Sequence, residues 1–459
     1  MIPFPSQPPL TGEPRDWSFP RMLTRDLPNG LRVTAIESSS LPIAQVRWVF
    51  GSGRIHEARN RLGSGLVLQR AMRHGTKNLD ARTFAERLDQ YGARMAGGVT
   101  IDSSIVSISG VSQHLWTYVD MATDVALEPA LPKIAAVAER MKALQIHHHE
   151  WSRVDNIAAL WLARSLYGEH PYGLPRTTLA GLEQTTVEDL EALHHSIVDP
   201  HRGLILVVGK IEVDSVVQRL ADRFGDLPSN TTPVPMVPTV PQAEPKTMVM
   251  VSVEAAETTT IGMGLPAVAR NHEDYTALRV VNQVFGGSAS SRLFRTLRDK
   301  LGLSYGAYSA LDSGRYAGDL TAYVTLDPYR ADQGFSALYE ELEVMASGSF
   351  SDAELDHARR FLMGSFPQRA TGLAGLSTLA TASWMHDLPD DVWSNLQLRV
   401  NSVDQGQAVD MASRWFLPEE STWVVVGPQH SLSSVEARAA TKGLKIVYRT
   451  MKDLEDAFI

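Results

Sequence analysis

The chain has 459 residues, of which 44% are apolar and 21% are charged, and its formal net charge is −9. This composition is that of an ordinary globular protein, and the length allows roughly two to four domains. The slight excess of acidic residues argues against a nucleic-acid-binding surface, which needs a basic face. With 0 cysteines, the chain cannot form disulfides or cysteine-ligated metal sites, so a metal would need His, Asp or Glu.

No stretch of the sequence approaches the roughly 18 consecutive apolar residues of a transmembrane helix. The N-terminal segment lacks the basic and apolar regions of a signal peptide. We therefore expect a soluble protein with no membrane span and no nucleic-acid partner. The cytoplasm and the periplasm both remain open as its compartment.

In chain order, strand patterns mix with amphipathic helix patterns in both parts of the chain. In the first part we predict strands at 31–36, 103–109 and 203–209 and helices at 83–91, 114–127 and 187–197. In the second part we predict strands at 248–253, 316–326 and 422–426 and helices at 274–285, 291–300, 329–345 and 352–363. Blocks of strands followed by blocks of helices favour an α+β fold over a regular βαβ alternation.

A proline-rich segment divides the chain into two nearly equal parts. Six prolines lie between Leu227 and Lys246, a density that disfavours helix and interior strand and favours a stiff, extended connector. We therefore predict an N-terminal domain over 20–227, a linker over 228–245 and a C-terminal domain over 246–450.

The two parts also resemble each other in sequence. The segment Arg82–Gly92 resembles Arg292–Gly302, and Leu206–Gly209 resembles Val424–Gly427 at nearly the same offset. Two matches at one spacing indicate a duplicated domain. We expect each copy to be a mixed α/β unit in which an antiparallel-rich sheet packs against helices.

The segment Gly63–Thr76 resembles the zinc helix of the pitrilysin/insulinase metallopeptidases, which include the mitochondrial processing peptidases. In that family, H-x-x-E-H precedes a Gly-Thr pair; the two histidines bind zinc and the Glu acts as general base. The resemblance places the histidine positions on Leu66 and Arg70 and the base on Gln69. It places the third zinc ligand, a Glu on a later helix, on Gln145.

These four residues cannot perform the family's metal chemistry. Leu66 has no lone pair, Arg70 is a permanent cation, and Gln69 cannot accept a proton at neutral pH. The resemblance therefore implies a chain that keeps the fold, holds no metal or cofactor of its own, and relies on zinc in a partner chain.

Three consecutive histidines, His147, His148 and His149, are the main alternative metal ligands. Consecutive helical residues point about 100° apart, so three in a row cannot converge on one ion. We expect them in a solvated stretch of helix.

A second motif runs from Phe285 to Gly306, where a glycine-rich turn precedes a helix. This run resembles the second domain of the same family, in which an Arg seven residues before a Tyr forms a substrate-binding pair. The resemblance places that pair on Arg298 and Tyr305, whose guanidinium and phenol can donate to a peptide's carbonyl or carboxylate oxygens. Without the resemblance, we would interpret the Arg as a solvated charge and the Tyr as a core residue.

The resemblance extends over roughly residues 24–430 and includes the segments Leu27–Val33 and His170–Pro175. The chain departs from the family at 94–97, where the family's substrate-binding edge strand carries Asn-Ala. This departure weakens the prediction of a peptide-binding edge in the first domain.

These features favour a non-catalytic subunit of a heterodimeric zinc metalloendopeptidase, inactive alone. Its partner would be a homologous catalytic chain with an intact H-x-x-E-H, the two chains closing like a clamshell around a peptide or unfolded polypeptide. The alternatives are a structural subunit like the core proteins of the cytochrome bc1 complex, a peptide-binding protein, and a self-sufficient peptidase with an atypical metal site. The peptide substrate and the choice between heterodimer and homodimer remain open.

Overall fold

The computed structural model describes residues 18–38, 41–228 and 236–456. Within these residues the strands form two six-stranded mixed sheets and one two-stranded ribbon, and each large sheet packs against helices. This is the predicted α+β architecture with two sheet-and-helix halves. None of the helices in the described ranges is long and apolar enough to cross a membrane.

The first half contains β1 (Met22–Asp26), β2 (Arg32–Glu37), β3 (Ile43–Phe50), α1 (Ser64–Ala71), β4 (Gly75–Thr76), β5 (Leu79–Asp80), α2 (Ala81–Gln90), β6 (Arg94–Val99), β7 (Ser104–Val111), α3 (Leu115–Leu127), α4 (Lys133–Trp151), α5 (Val154–Tyr167), α6 (Leu179–Gln184), α7 (Val187–Ile197), β8 (Gly203–Gly209) and α8 (Val213–Phe224). Polar caps fix several helix starts. The hydroxyl of Thr186 accepts from the amide of Asp189, whose carboxylate accepts in return, so α7 begins where the sequence predicts.

The second half contains β9 (Thr247–Ser252), β10 (Thr259–Ala267), α9 (Tyr275–Phe285), α10 (Arg292–Phe294), β11 (Ala307–Ser313), β12 (Gly318–Leu326), α11 (Ala331–Ala346), α12 (Asp352–Arg369), α13 (Gly372–Met385), α14 (Leu396–Asn401), α15 (Gln405–Trp415), β13 (Thr422–Gly427), α16 (Gln429–Thr441), β14 (Lys445–Arg449) and α17 (Met451–Asp456). The helix that α10 begins continues as a π-helix over Arg295–Lys300.

The two large sheets share one topology. The first has the order β1-β2-β8-β3-β7-β6, and the second, read from its far end, has the order β14-β9-β13-β10-β12-β11. Five strands of each sheet correspond in chain order and direction, with β2 parallel to β8 and β9 parallel to β13. Only the outermost strand differs, since β1 is antiparallel to its neighbour and β14 is parallel. The repeat seen in the sequence is therefore a repeat of the fold.

Each half contributes a helix to the core of the other. Helix α5 packs on β10 and β13 of the second sheet, and α13 packs on β3 and β8 of the first. Leu162 of α5 is fully buried, and Gly264 of β10 leaves room for it, because a Cβ there would lie 3.1 Å from Leu162 Cδ1. In the converse contact, Ser377 of α13 donates to Gln45 Oε1 at 2.6 Å. We call α5 and α13 the exchanged helices.

Residues 236–245 of the proline-rich linker have neither helix nor strand. Pro233 and Pro235 lie outside the described residues. The predicted boundaries at 227 and 246 remain a prediction, and α5 shows that chain position alone does not decide which core a helix joins.

Candidate functional site

Helix α1 carries Leu66, Gln69 and Arg70, on which the resemblance places two zinc ligands and the general base. Its first turn is held by Glu57, whose carboxylate accepts from the amides of Gly63 at 2.8 Å and Gly65 at 3.1 Å. Burial raises the pKa of Glu57 to about 7, although these amides and the nearby Arg54 favour its charged form. Glu57 therefore fixes the start of α1.

A cluster of charges occupies the face where α1 meets α4. The carboxylate of Glu139, a buried residue of α4, lies 3.8 Å from Arg70 Nη1, 3.1 Å from His74 Nε2 and 2.7 Å from Lys142 Nζ. Burial alone would raise the pKa of Glu139, but the hydrogen bonds from Lys142 and His74 hold it below its ordinary value. Side-chain cations therefore neutralise a carboxylate at this face.

Leu66 and Gln69 are both buried on α1, next to the edge strand β6. A Cβ at Gly97 of β6 would lie 2.8 Å from Gln69 Nε2, and this nitrogen has no hydrogen-bond partner within the part of the chain that the structure describes. Gln145 is exposed on α4, whereas Glu139 of the same helix contacts Arg70. Sequence reasoning missed Glu139 because it lies six residues before the position that the family spacing indicates.

The residues at α1 do not fit a zinc ion. The three motif positions present an aliphatic chain, a neutral amide and a guanidinium, and a fixed cation at Arg70 repels a metal. In the described ranges, no group of three or more His, Asp or Glu side chains is placed to hold a metal ion. We assign no reaction step in this chain to a metal.

The histidine run does not form the solvated stretch that we predicted. His148 and His149 are exposed, but His147 is buried and its Nδ1 lies 3.0 Å from Thr177 Oγ1. Burial lowers the pKa of His147 to about 4, with a smaller contribution from His148. Because consecutive helical residues point about 100° apart, one ring turns inward and two turn outward.

Arg298 and Tyr305 lie together on the surface of the second half. Arg298 belongs to the π-helix, and Tyr305 follows the turn that ends it, with 89% of its surface exposed. The guanidinium carbon lies 4.7 Å from the ring centre of Phe294 and 5.0 Å from that of Tyr305, so two aromatic rings orient it. Neither polar group bonds to another described residue. The interpretation of Tyr305 as a core residue is thus excluded.

The glycines of the preceding turn are explained by close packing. A Cβ at Gly286 would lie 2.5 Å from the backbone nitrogen of Ser309, and one at Gly287 would lie 2.5 Å from Gln283 Oε1. Both positions therefore exclude a side chain for structural reasons.

Comparisons with known proteins identify the family of the chain. Residues 32–178 match the family described as Insulinase (Peptidase family M16), and residues 184–362 match the family described as Peptidase M16 inactive domain. The two matches together span well over half of the chain. The protein therefore has the fold of these metallopeptidases, and it belongs to peptidase family M16.

Related sequences carry both peptidase and non-peptidase names. A protein of Mycobacterium tuberculosis named an uncharacterized zinc protease is 26% identical over 426 residues, which cover 91% of this chain and 95% of that protein. The non-peptidase homolog YmxG of Helicobacter pylori is 22% identical over 356 residues, covering 76% of this chain and 81% of that one. Names within the family therefore divide between the two classes.

Solved structures share the fold. A peptidase M16 inactive domain from Pseudomonas fluorescens superposes with a TM-score of 0.82 at 19% identity, covering 89% of this chain and 98% of that one. A protease from Helicobacter pylori gives a TM-score of 0.81 at 20% identity, covering 89% of this chain and all (100%) of the other. At this level of identity, the likeness extends to the fold alone.

Proposed function

We propose that the protein is the non-catalytic subunit of a heterodimeric zinc metalloendopeptidase and supplies Arg298 and Tyr305 to a partner's active site. The observation that carries the proposal is the exposed, ring-supported pair of donors on a chain whose own zinc positions hold Leu66, Gln69 and Arg70. Such a chain can bind a substrate, and a second chain would carry out the cleavage.

The pair is suited to holding a peptide in a fixed register. The guanidinium offers several N–H donors in one plane and the phenol offers a directed O–H donor, which together match successive carbonyl oxygens or a terminal carboxylate. Because Phe294 and Tyr305 already orient the guanidinium, less side-chain freedom is lost when it binds.

The charge cluster on α1 and α4 supports the inactive half of the proposal. A zinc site needs neutral or anionic ligands, whereas here two fixed cations, Arg70 and Lys142, lie against the carboxylate of Glu139. The proposed partner is a homologous M16 chain with an intact H-x-x-E-H, which would hold the zinc, and the substrate is a peptide or unfolded polypeptide.

The test measures cleavage of a fluorogenic peptide by the purified pair of chains. Arg298→Ala and Tyr305→Phe each remove hydrogen-bond donors, so we expect kcat/KM to fall about tenfold or more for each variant, because hydrogen bonds to charged or developing charged groups contribute about 1.5–3 kcal/mol. Size-exclusion chromatography should show that both variants still assemble with the partner.

A matched control comes from the equivalent helix of the first half. Arg82 of α2 has an 88% exposed side chain, and Arg82→Ala should leave kcat/KM unchanged. If Arg298→Ala cleaves at the wild-type rate, the pair has no role and a structural or peptide-binding subunit becomes the better description. Zinc-dependent cleavage by the isolated wild-type chain would contradict the division of labour altogether.

A further inference from the structure

A cavity of about 550 Å³ lies on the side of the helix Arg292–Lys300 that faces α11 and α12. Its lining includes Gln283 of α9, Ser290 and Ser291 of the glycine-rich turn, Lys300 at the helix end and His357 of α12. Arg298 is absent from this lining, so the cavity is separate from the exposed Arg298–Tyr305 pair.

Two buried polar side chains in the cavity wall have unused hydrogen-bonding atoms. Gln283 is 7% exposed and Ser291 is 3% exposed, yet Gln283 Nε2 and Ser291 Oγ have no partner among the described residues. Leaving a buried polar group unpaired is costly, so native proteins usually satisfy it with protein, water or ligand. The amide nitrogen is a donor only, and the Ser291 hydroxyl is free to donate.

The charges around the cavity leave one cation uncompensated. Arg292 bonds to Glu341 at 2.8 Å and to Glu354 at 3.0 Å, and Arg295 also pairs with Glu354. Thr296 donates to Glu341 as well, so both carboxylates are engaged. Lys300 forms no ion pair with any residue in the described ranges.

The Ser290 hydroxyl is already hydrogen-bonded and is not one of the unused donors. Ser290 Oγ lies 2.7 Å from His357 Nε2 and 3.0 Å from Ser288 Oγ, so it is held at the mouth of the turn. The unused groups of the cavity are therefore donors with a net positive charge. A group rich in acceptors and negatively charged is their chemical complement.

We propose that this cavity binds an oxyanion, either a free small anion such as phosphate or the terminal carboxylate of a peptide. Lys300 supplies the compensating charge, and Gln283 Nε2 and Ser291 Oγ donate the buried hydrogen bonds. The π-helix of residues 295–300 fits this assignment, because such turns are rare and recur at functional sites. Binding here requires neither zinc nor the partner chain.

Isothermal titration calorimetry of the full isolated chain, at constant ionic strength in chloride, tests the proposal with three probes. These are inorganic phosphate, a short peptide with a free C-terminal carboxylate, and the same peptide amidated. Saturable binding of phosphate alone identifies a free-anion site, and binding of the acid peptide but not of its amide identifies a chain-terminus site. Absence of saturable binding by both anions overturns the proposal.

Variants locate the binding in this cavity. Lys300→Met and Ser291→Ala should each weaken binding about tenfold or more, because each removes one hydrogen bond to a charged ligand. Lys210→Met, at an exposed lysine of the first half, is the matched control and should bind like wild type. Thermal unfolding checks that each variant folds. If Lys300→Met and Ser291→Ala bind as tightly as wild type, the site is elsewhere and the assignment is wrong.

Discussion

The exchanged helices predict that the two halves unfold together, and Leu162→Ala tests this. Leu162 belongs to the first half by chain position but lies fully buried on the second half's sheet. Its neighbours include Gly262 and Gly264 of β10, whose backbone belongs to a six-stranded sheet and cannot collapse into the space that the side chain leaves. We therefore expect a cost in the upper part of the Leu-to-Ala range, about 4 kcal/mol.

The size of the melting shift distinguishes cooperative from independent halves. Unfolding entropy of about 2.1 cal/mol/K per residue gives about 1 kcal/mol/K for the whole chain, so a single transition should fall by about 4 °C. If the second half unfolded by itself, with about half that entropy, its own transition would fall by about 8 °C and the other would stay.

Differential scanning calorimetry measures the number of unfolding transitions and the melting temperature of each. For a single cooperative unit, the van't Hoff enthalpy equals the calorimetric enthalpy, and Leu162→Ala moves the one transition. Leu376→Ala on α13 should act in the same way from the other side, since Leu376 is buried on the first sheet. The exposed Leu398 gives the control, for which Leu398→Ala should cost less than about 0.5 kcal/mol. Two transitions, only one of which moves, would refute the reasoning.

Three further predictions concern polar groups in buried or partly buried positions. Glu139→Gln should lower the free energy of unfolding by about 1 kcal/mol at pH 7, because the partly exposed cations around it lose their counter-charge. This difference in stability between variant and wild type should vanish as acid titrates wild-type Glu139, whose pKa lies below its ordinary value. Burial raises the pKa of Asp319 to about 7, so the folded chain retains a proton that the unfolded chain releases from about pH 4 upward. The stability of the wild type therefore falls as the pH rises to 7. Asp319→Asn keeps an acceptor for the Tyr167 hydroxyl, and it should flatten this fall in stability when unfolding is followed by urea titration. Ser377→Ala should cost about 1–2 kcal/mol in denaturant unfolding, because it leaves Gln45 Oε1 buried without its donor.

The predicted elements with strong patterns agree with the structure. The strand at 203–209 is a run of apolar residues bounded by glycines and is buried along its whole length as β8. The helix at 187–197 has both apolar spacing and a capping box, and it is observed with those bounds as α7. Strands β3 and β10 were not predicted, since Arg47 interrupts one apolar run and Gly262 and Gly264 weaken the other.

The candidate sites were predictable to different degrees. The proximity of Arg298 and Tyr305 was expected from the resemblance, and the structure adds the two rings that orient the guanidinium. The contact between Glu139 and Arg70 could not be predicted, because it joins residues 69 positions apart whose pairing depends on how α4 crosses α1. The role of Arg298 and Tyr305 in substrate binding stays a prediction.

The sequence alone determined the fold class, the duplication and the chemistry that α1 cannot perform, because each depends on residue type and spacing along the chain. Tertiary structure decided what lies across from those residues. It placed α5 and α13 on the sheet of the opposite half, brought Arg70, His74 and Lys142 to Glu139, and left buried donors facing a cavity beside Lys300. These arrangements join residues that are distant in sequence, so local patterns of hydrophobicity and charge carry no record of them.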